Sequence, residues 1–329
     1  MGIFLKTQGL MNKQPNLYWQ LSQCAYMDGH GYVREYAVVN GKDEFANVVR
    51  RYYTGFKFDD TNSPVTTFSQ PTSTGRARAV TSTDGVDVMT SGGEDLSGNL
   101  AIVEQWRADD STVITKTMSP TLTEGRELGV GTASYHNSHF HIGGQRSSSN
   151  TQTNIDAINY LASAQTVSQG NMSTSGRNCT GCGNGYAAFY RHQDDSFQSL
   201  EVINISDHTA GAGTSFISQP KTSTSLVSIV QLGSAVSTGP DAVFIGGIQI
   251  TAIPFDDTGV EAIWPVSLAS NHNRGGAATD GDTIVLSGGL NTATDTIRYI
   301  QANNMSTLVT ASSQSLPLAV KQHSMIAYQ

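Results

Sequence analysis

The chain has 329 residues and a formal net charge of -8, with 27 acidic and 19 basic side chains. Because binding to phosphate backbones requires clustered Lys and Arg, this balance argues against nucleic acid as a partner. Charged residues make up only 14% of the chain, against about 25% in ordinary soluble domains, and Ser, Thr, Asn, Gln and Gly take their place. Such a neutral polar surface is common on extracellular and virion β-proteins and uncommon on cytosolic enzymes.

Short apolar runs that end in Gly-Gly recur along the chain. In chain order, the glycine pairs are Gly92-Gly93, Gly143-Gly144, Gly246-Gly247 and Gly288-Gly289. Their first glycines are separated by 51, 103 and 42 residues, and 103 is about two steps. A period of about 40–50 residues built from short strands is typical of a β-propeller. The pattern therefore predicts an all-β fold.

Three weaker apolar runs fill the gaps in the series, at residues 36–41, 185–190 and 324–328. With them the repeat predicts one domain over residues 1–329, a propeller of about seven blades. Six blades follow if residues 1–55 form something other than a blade.

Acidic or amide residues follow most of these runs by about 10–20 residues, where their side chains favour turns. The turns are residues 59–62, 109–112, 206–208, 256–259 and 303–304. Each unit thus reads as strand, strand ending in Gly-Gly, strand, turn, strand, which is a four-stranded blade. The acid pairs within them, and Asp194-Asp195, are expected to be structural, since adjacent side chains diverge and do not make the carboxylate pairs about 5–9 Å apart that glycosidases use.

The last apolar run lies directly before Gln329, so the last blade requires strands from elsewhere. Residues 2–8 are apolar enough to pair there, and we expect residues 1–15 to be a closing strand or extension. Pairing between the N- and C-terminal strands would close the ring and remove an exposed sheet edge.

In these features the chain resembles the kelch family of propellers. The resemblance rests on Gly-Gly after an apolar strand, and on Gly75-Arg76 and Gly125-Arg126, which are similar to the arginine before a kelch inner strand. The chain also resembles propeller-type tail and fibre proteins of bacteriophages. The resemblance implies a fold and no chemistry of its own.

Cys179 and Cys182 have the CxxC spacing of zinc and redox sites. A structural zinc site takes four ligands, and the third cysteine, Cys24, is more than a hundred residues away. A redox motif is expected at the start of a helix, which this pattern does not predict. A loop disulfide or two free thiols is favoured, with a metal site and redox chemistry as the alternatives.

His136, His139 and His141 form the densest set of metal-capable side chains. His139 and His141 lie on one face of a strand, because side chains alternate with a period of two. A metal would need a third ligand, which His136 could supply only by folding back. Because His323 occupies the position equivalent to His139, we favour structural histidines that bond neighbouring backbone between blades, and predict no metal and no cofactor.

No run approaches the ~20 apolar residues of a membrane span, and residues 1–6 match no targeting signal. These observations favour a non-enzymatic structural or adhesion component of a bacteriophage virion, assembled in the host cytoplasm. It would dock on other virion proteins or on a host surface glycan or receptor. The alternatives are a carbohydrate-active or glycan-binding propeller with a site assembled from loops, and an intracellular kelch-type adaptor.

Overall fold

The structure is a computed structural model, and the residues it describes form strands without any helix. Besides the strands it describes residues 76–79, 92–93, 97, 100–102, 121–127, 143–144 and 268. The first thirteen strands are β1 (Glu35–Lys42), β2 (Val49–Lys57), β3 (Thr66–Ser69), β4 (Val80–Thr83), β5 (Asp87–Ser91), β6 (Glu94–Asp95), β7 (Gly98–Asn99), β8 (Val103–Arg107), β9 (Lys116–Thr117), β10 (Val130–Ser134), β11 (Ser138–Ile142), β12 (Gln145–Ser147) and β13 (Asn150–Asn159). The others are β14 (Thr166–Gly176), β15 (Ala187–Gln193), β16 (Gln198–Asn204), β17 (Ser215–Ile217), β18 (Ser228–Leu232), β19 (Asp241–Gly246), β20 (Gln249–Pro254), β21 (Ala262–Ile263), β22 (Gly276–Thr279), β23 (Thr283–Ser287), β24 (Thr294–Gln301), β25 (Thr310–Val320) and β26 (Ser324–Tyr328).

The described strands form six antiparallel sheets of three to five strands and one two-stranded ribbon, β6-β7. In strand order they are sheet I (β26-β1-β2-β3), sheet II (β4-β5-β8-β9), sheet III (β10-β11-β13, with β12 and β14 both paired to β13), sheet IV (β15-β16-β17), sheet V (β18-β19-β20-β21) and sheet VI (β22-β23-β24-β25). The all-β prediction is confirmed for this part of the chain.

In four of the sheets, the second strand is one that the sequence places before a Gly-Gly pair. These strands are β5, β11, β19 and β23. The strands on either side of each acidic or amide segment pair antiparallel, as β8 does with β9 and β20 with β21. The predicted order of strand, Gly-Gly strand, strand, turn, strand is therefore confirmed in these sheets. The acid pairs themselves lie outside the described residues.

The first strands of consecutive sheets lie beside one another. β4 contacts both β10 and β26, β26 contacts β22, and β22 contacts β18. Sheet III contacts sheet IV differently, through its last strand β14, which lies beside β15. Neighbours in the chain are thus neighbours in space, from sheet V through sheets VI, I and II to sheets III and IV.

The C-terminal strand β26 pairs antiparallel with β1, from Glu35 opposite Tyr328 to Val39 opposite Ser324. The sequence predicted that these two runs would be equivalent strands of two different blades, whereas they are adjacent strands of one sheet. The first and second strands of a blade are both covered by neighbouring sheets, so both are apolar and the pattern does not tell them apart. The predicted closing strand at residues 1–15 lies outside the described residues.

The second strands carry the core. In β5, four consecutive residues from Val88 to Ser91 are buried, and in β23 the four from Ile284 to Ser287 are buried. Burial of successive residues requires a covered surface on both faces, as between two stacked sheets. Met89, Val103, Leu122 and Ile158 form one such cluster between sheets II and III.

Residues 145–154, 169–185 and 270–282 are rich in Ser, Thr, Asn and Gly, a composition that predicts long connections between strands, but each segment contains strand residues. Residues 145–154 contain β12 and the start of β13, residues 169–185 contain most of β14, and residues 270–282 contain β22. The prediction of a loop is therefore wrong for the parts of these segments that the structure describes. A strand at a sheet edge, such as β12 or β14, can be as rich in polar residues as a loop, so polar composition does not distinguish the two.

Candidate functional site

Arg76 is a fully buried arginine that holds the second and third strands of sheet II together. Its side chain contacts the carboxylate of Glu104 on β8, and both side chains are 0% exposed. Nη1 also donates to the carbonyl oxygen of Gly92 (3.2 Å). Burial lowers the pKa of Arg76, and the carboxylates of Glu104 and Asp95 act against that shift. The contacts of this guanidinium are all internal to the protein.

Arg126 occupies the equivalent place in sheet III. Its Nη2 donates to Asp156 Oδ2 on β13 (2.9 Å) and to the carbonyl oxygen of His141 on β11 (3.1 Å). The Arg126 and Asp156 side chains are both 0% exposed. Asp156 Oδ2 also accepts from the backbone N–H of Thr123 (3.0 Å), which ties the segment before β10 to the sheet.

The two ion pairs are one motif used twice. The arginines are 50 residues apart and the acids 52 apart, close to the 51-residue step between the glycine pairs. In both copies the arginine precedes the first strand, bonds a carbonyl at the end of the Gly-Gly strand and pairs with an acid on the third strand. A buried charge without its partner is costly, so these pairs fix how the strands of each unit meet.

The glycine pairs have backbone conformations that favour glycine, and the first pair connects sheets II and III. Gly92 and Gly93 have φ of 62° and 92°, and Gly143 and Gly144 have φ of 59° and 106°, which L side chains rarely adopt. This conformation lets the N–H of Gly93 donate to the carbonyl oxygen of Arg126 (2.9 Å). Arg126 therefore bonds its own sheet through its side chain and sheet II through its backbone.

Ser82, His139, Ser91 and His141 form a continuous hydrogen-bonded chain between sheets II and III. Ser82 Oγ lies 2.6 Å from His139 Nδ1, and Ser91 Oγ lies 2.7 Å from both His139 Nε2 and His141 Nδ1. His139 and His141 thus share one face of β11, as the sequence predicted. Their partners are serine hydroxyls of the neighbouring sheet, however, and not backbone groups.

The hydrogen bonds of this Ser-His-Ser-His series can all point one way or all point the other way. Each neutral imidazole carries one N–H and each serine one O–H, so Ser91 accepts from one ring and donates to the other. In either direction His141 Nε2 is the end of the chain, and it has no hydrogen-bond partner among the described residues. Both rings are held as neutral groups.

Burial lowers the pKa of His139 to about 3. Burial also lowers the pKa of His141 well below its ordinary value, and the charge of Arg126 and the proximity of His139 lower it further. Because both folded-state pKa values are depressed, the stability that neutral histidines contribute is present in full above pH about 6.5 and is lost as the pH falls toward 3.

We therefore expect acid to reduce the stability advantage of the wild-type chain over a His139→Gln/His141→Gln variant. Below pH about 6.5 the advantage should shrink by about 1.4 kcal/mol per pH unit for each histidine. Denaturant titrations of both proteins between pH 7.5 and 5 measure this. A difference that stays constant over that range would show that the rings already carry protons in the folded state.

A second cluster of polar side chains lies near the Gly-Gly ends of sheets II and III. It consists of Arg78, Glu94, Glu127 and Gln145, and we call it the Arg78 cluster. Arg78 Nη1 lies 3.0 Å from both carboxylate oxygens of Glu127 and 3.5 Å from Glu94 Oε2. Gln145 Nε2 donates to Glu127 Oε1 (2.6 Å). Arg78 has φ of 57°, a left-handed conformation that costs a non-glycine residue about 1–2 kcal/mol and persists where its surroundings hold it.

Backbone bonds hold the four members of the Arg78 cluster in place. Ala77 and Glu94 exchange two backbone hydrogen bonds (3.0 and 2.9 Å), and Glu127 and Gln145 exchange another two (3.0 and 2.8 Å). The first bridge joins the segment before β4 to the β6-β7 ribbon, and the second joins the segment before β10 to β12. The Arg78–Glu127 ion pair joins them, and Asn99 of the β6-β7 ribbon adds bonds to the carbonyl oxygens of Gln145 (2.9 Å) and Arg146 (2.7 Å).

Of the site candidates taken from the sequence, the structure describes His139 and His141 and brings them together. The remaining candidates lie outside the described residues: Cys24, Cys179, Cys182, His136, His323 and the acid pairs. Within the described part of the chain, no three His, Cys, Asp or Glu side chains come together as a metal site would require.

Arg76 and Arg126 could be found from the sequence, whereas their partners Glu104 and Asp156 were not predicted. Glu104 and Asp156 follow the first glycine of their pairs by 12 and 13 residues, a repeated spacing that could have identified them. Ser82, Ser91 and Gln145 carried no such signal, because serine and glutamine are common throughout this chain.

Comparisons with known proteins identify the fold alone. No protein-family model matches the chain, and no curated protein matches it. Among solved structures, "Structure of YjhT" aligns with a TM-score of 0.58 at 12% identity, covering 77% of this chain and 88% of that one. YjhT has a propeller-type fold, so the likeness agrees with the sheet arrangement. The described residues include no helix long and apolar enough to cross a membrane.

Proposed function

We propose that this chain is a non-enzymatic structural or adhesion component of a bacteriophage virion. It is a kelch-like propeller of the tail, baseplate or fibres that docks on other virion proteins or on a host surface glycan or receptor. The non-enzymatic part of the proposal is supported by one observation: the side chains that could carry out chemistry are buried and paired with one another. Arg76, Glu104, Arg126 and Asp156 are fully buried and paired within the sheets.

The same holds for the histidines. His139 and His141 are 0% exposed and bond serines across a sheet boundary. A general acid or base must reach a substrate atom directly or through one water, and these groups do not reach solvent. The ion pairs thus stabilise individual sheets and the imidazoles join two sheets, which suits a scaffold.

The virion assignment rests on the sequence. A chain with only 14% charged residues and a polar surface rich in Ser, Thr, Asn and Gly fits assembly inside a host and exposure outside it. Such residues make adaptable polar contacts, which suits docking on a protein or glycan.

We further infer that the six sheets are the blades of one closed ring. β26 pairs with β1 and contacts the first strands of sheets VI and II, which supports placing sheet I directly between those two sheets. Sheet IV has three described strands and contacts sheet III, so we place it next to sheet III in the ring. Six blades are therefore favoured over seven, with the C-terminal strand completing the first blade.

The docking face that we favour is the rim at the Gly-Gly ends of sheets II and III, where Ser97 and Arg146 are exposed. A Ser97→Tyr/Arg146→Glu variant should enter particles at one tenth of the wild-type level or less. Quantitative mass spectrometry of purified particles measures this. Ser315→Tyr, on the outer strand β25, is the matched exposed control and should incorporate normally.

Wild-type incorporation of the rim variant would refute the docking face, and absence of the wild-type chain from particles would refute the virion assignment. Hydrolysis of a glycan by the purified chain would favour a carbohydrate-active propeller.

A further inference from the structure

The outer edge of sheet VI is a long strand without charge. β25 (Thr310–Val320) is the outermost of the described strands in this sheet, and it pairs with β24. None of its 11 residues is Asp, Glu, Lys or Arg. The N–H and C=O groups at a strand edge are a template for pairing with another chain, and natural proteins often prevent such pairing with charged side chains. β25 does not have that form of protection.

Two bulges interrupt the pairing of β25 with β24 instead. The pairs in question are Arg298–Ala311, Thr296–Ser315 and Thr294–Val320. From each pair to the next, β24 advances two residues, whereas β25 advances first four residues and then five. β25 therefore carries two extra residues in the first step and three in the second. Extra residues of this kind bend the strand and disrupt the ladder.

The second bulge recurs at the same place in sheet III. Asp156 on β13 and Arg298 on β24 are equivalent, because each lies opposite the residue two before the first glycine of its pair. Two and four residues before Asp156, the partners on β14 are Asn171 and Gly176, which are again five residues apart. The same three extra residues at the same position in two sheets are a repeated feature of the fold.

Pro317 lies within the second bulge of β25. Proline has no backbone N–H, so within sheets it is confined to edges and bulges. The preceding residue, Leu316, is only 3% exposed, which fixes the bulge against the protein. In β14 the equivalent residue is Ser173, and that strand has β15 of sheet IV beside it. β25 thus lacks a donor where its backbone already departs from the ladder.

We propose that the bulges and Pro317 prevent the outer edge of sheet VI from pairing with a second copy of this chain. An uncharged strand edge without proline is a ready template for such pairing. The bulges remove the regular row of N–H and C=O groups that a second strand would need, and Pro317 removes one donor outright. This protection is independent of the docking face proposed above.

Deleting residues 317–319 tests the proposal, because it removes the three extra residues and keeps the buried Leu316. The pairs Thr296–Ser315 and Thr294–Val320 then follow in regular register. We expect the wild type to stay monomeric, and the molar mass of the deletion variant to rise with concentration to at least double that of the wild type. Size-exclusion chromatography with light scattering measures this, and circular dichroism checks that the variant is folded.

Two substitutions separate edge pairing from misfolding. Ser315 is exposed, so Ser315→Lys added to the deletion variant should return it to a monomer. Pro317→Val keeps the length of the strand, restores the N–H and should associate more weakly than the deletion variant. The proposal fails if Pro317→Val and the folded deletion variant both stay monomeric, or if Ser315→Lys does not reverse their association. A wild-type dimer that Ser315→Lys dissociates would also overturn it, because the edge would then be an interface.

Discussion

Replacing Gly92 by alanine should lower the free energy of unfolding by roughly 4 kcal/mol or more. That is a large loss for a substitution that adds a single carbon atom. A Cβ at this position would lie 2.4 Å from the backbone oxygen of Arg126 and 2.8 Å from His141 Cε1. The backbone oxygen belongs to the neighbouring sheet and cannot turn aside. The φ of 62° adds conformational strain.

Gly98→Ala is the matched control. Gly98 also has a positive φ, of 132°, but nothing lies within 4 Å of its would-be Cβ. It should cost only the conformational strain of about 1–3 kcal/mol. Denaturant titrations of both variants separate the two contributions. Equal losses would mean that the sheets do not approach as closely at Gly92 as the structure has it.

Replacing Arg126 by methionine should cost about 3–5 kcal/mol, because it leaves the buried carboxylate of Asp156 without its counter-charge. The double variant Arg126→Met/Asp156→Asn should recover a large part of this loss. Asparagine carries no charge but still offers an acceptor to Thr123. The coupling measured by this double-mutant cycle is the interaction that joins β11, β13 and the segment before β10.

The exposed pair Arg146–Glu124 provides the comparison, since the Arg146 side chain is 63% exposed. Arg146→Met should change the free energy of unfolding by less than about 1 kcal/mol. If Arg126→Met is as mild as Arg146→Met, the buried pair does not hold the unit together.

Much of the fold follows from the sequence because its signals are local. A glycine pair after an apolar run needs only its own backbone conformation, so the second strands could be predicted. Segments rich in Asp and Asn could be placed between third and fourth strands for the same reason. The pairing of β26 with β1 could not be predicted. The two apolar strands are almost three hundred residues apart, and nothing in either sequence specifies its partner strand or the register of pairing.

The candidate site was less predictable for the same physical reason. Arg76 and Arg126 were visible because each follows a glycine at a repeated spacing. The bonding of His139 to Ser82 and Ser91 depends on how two sheets stack, and a serine has no pattern that indicates a buried histidine. The Arg78 cluster joins four separate segments, and its φ of 57° at an arginine contradicts local preference.

The central claim is that six stacked sheets form a rigid ring that docks in a virion. Electron cryomicroscopy of purified particles tests it most directly. We predict a six-bladed ring with the C-terminal strand in the first blade and with the rim of Ser97 and Arg146 against a neighbouring virion protein or displayed on the particle surface. Particles whose density contains no such ring, or a ring of seven blades with β26 and β1 in different blades, would contradict the account.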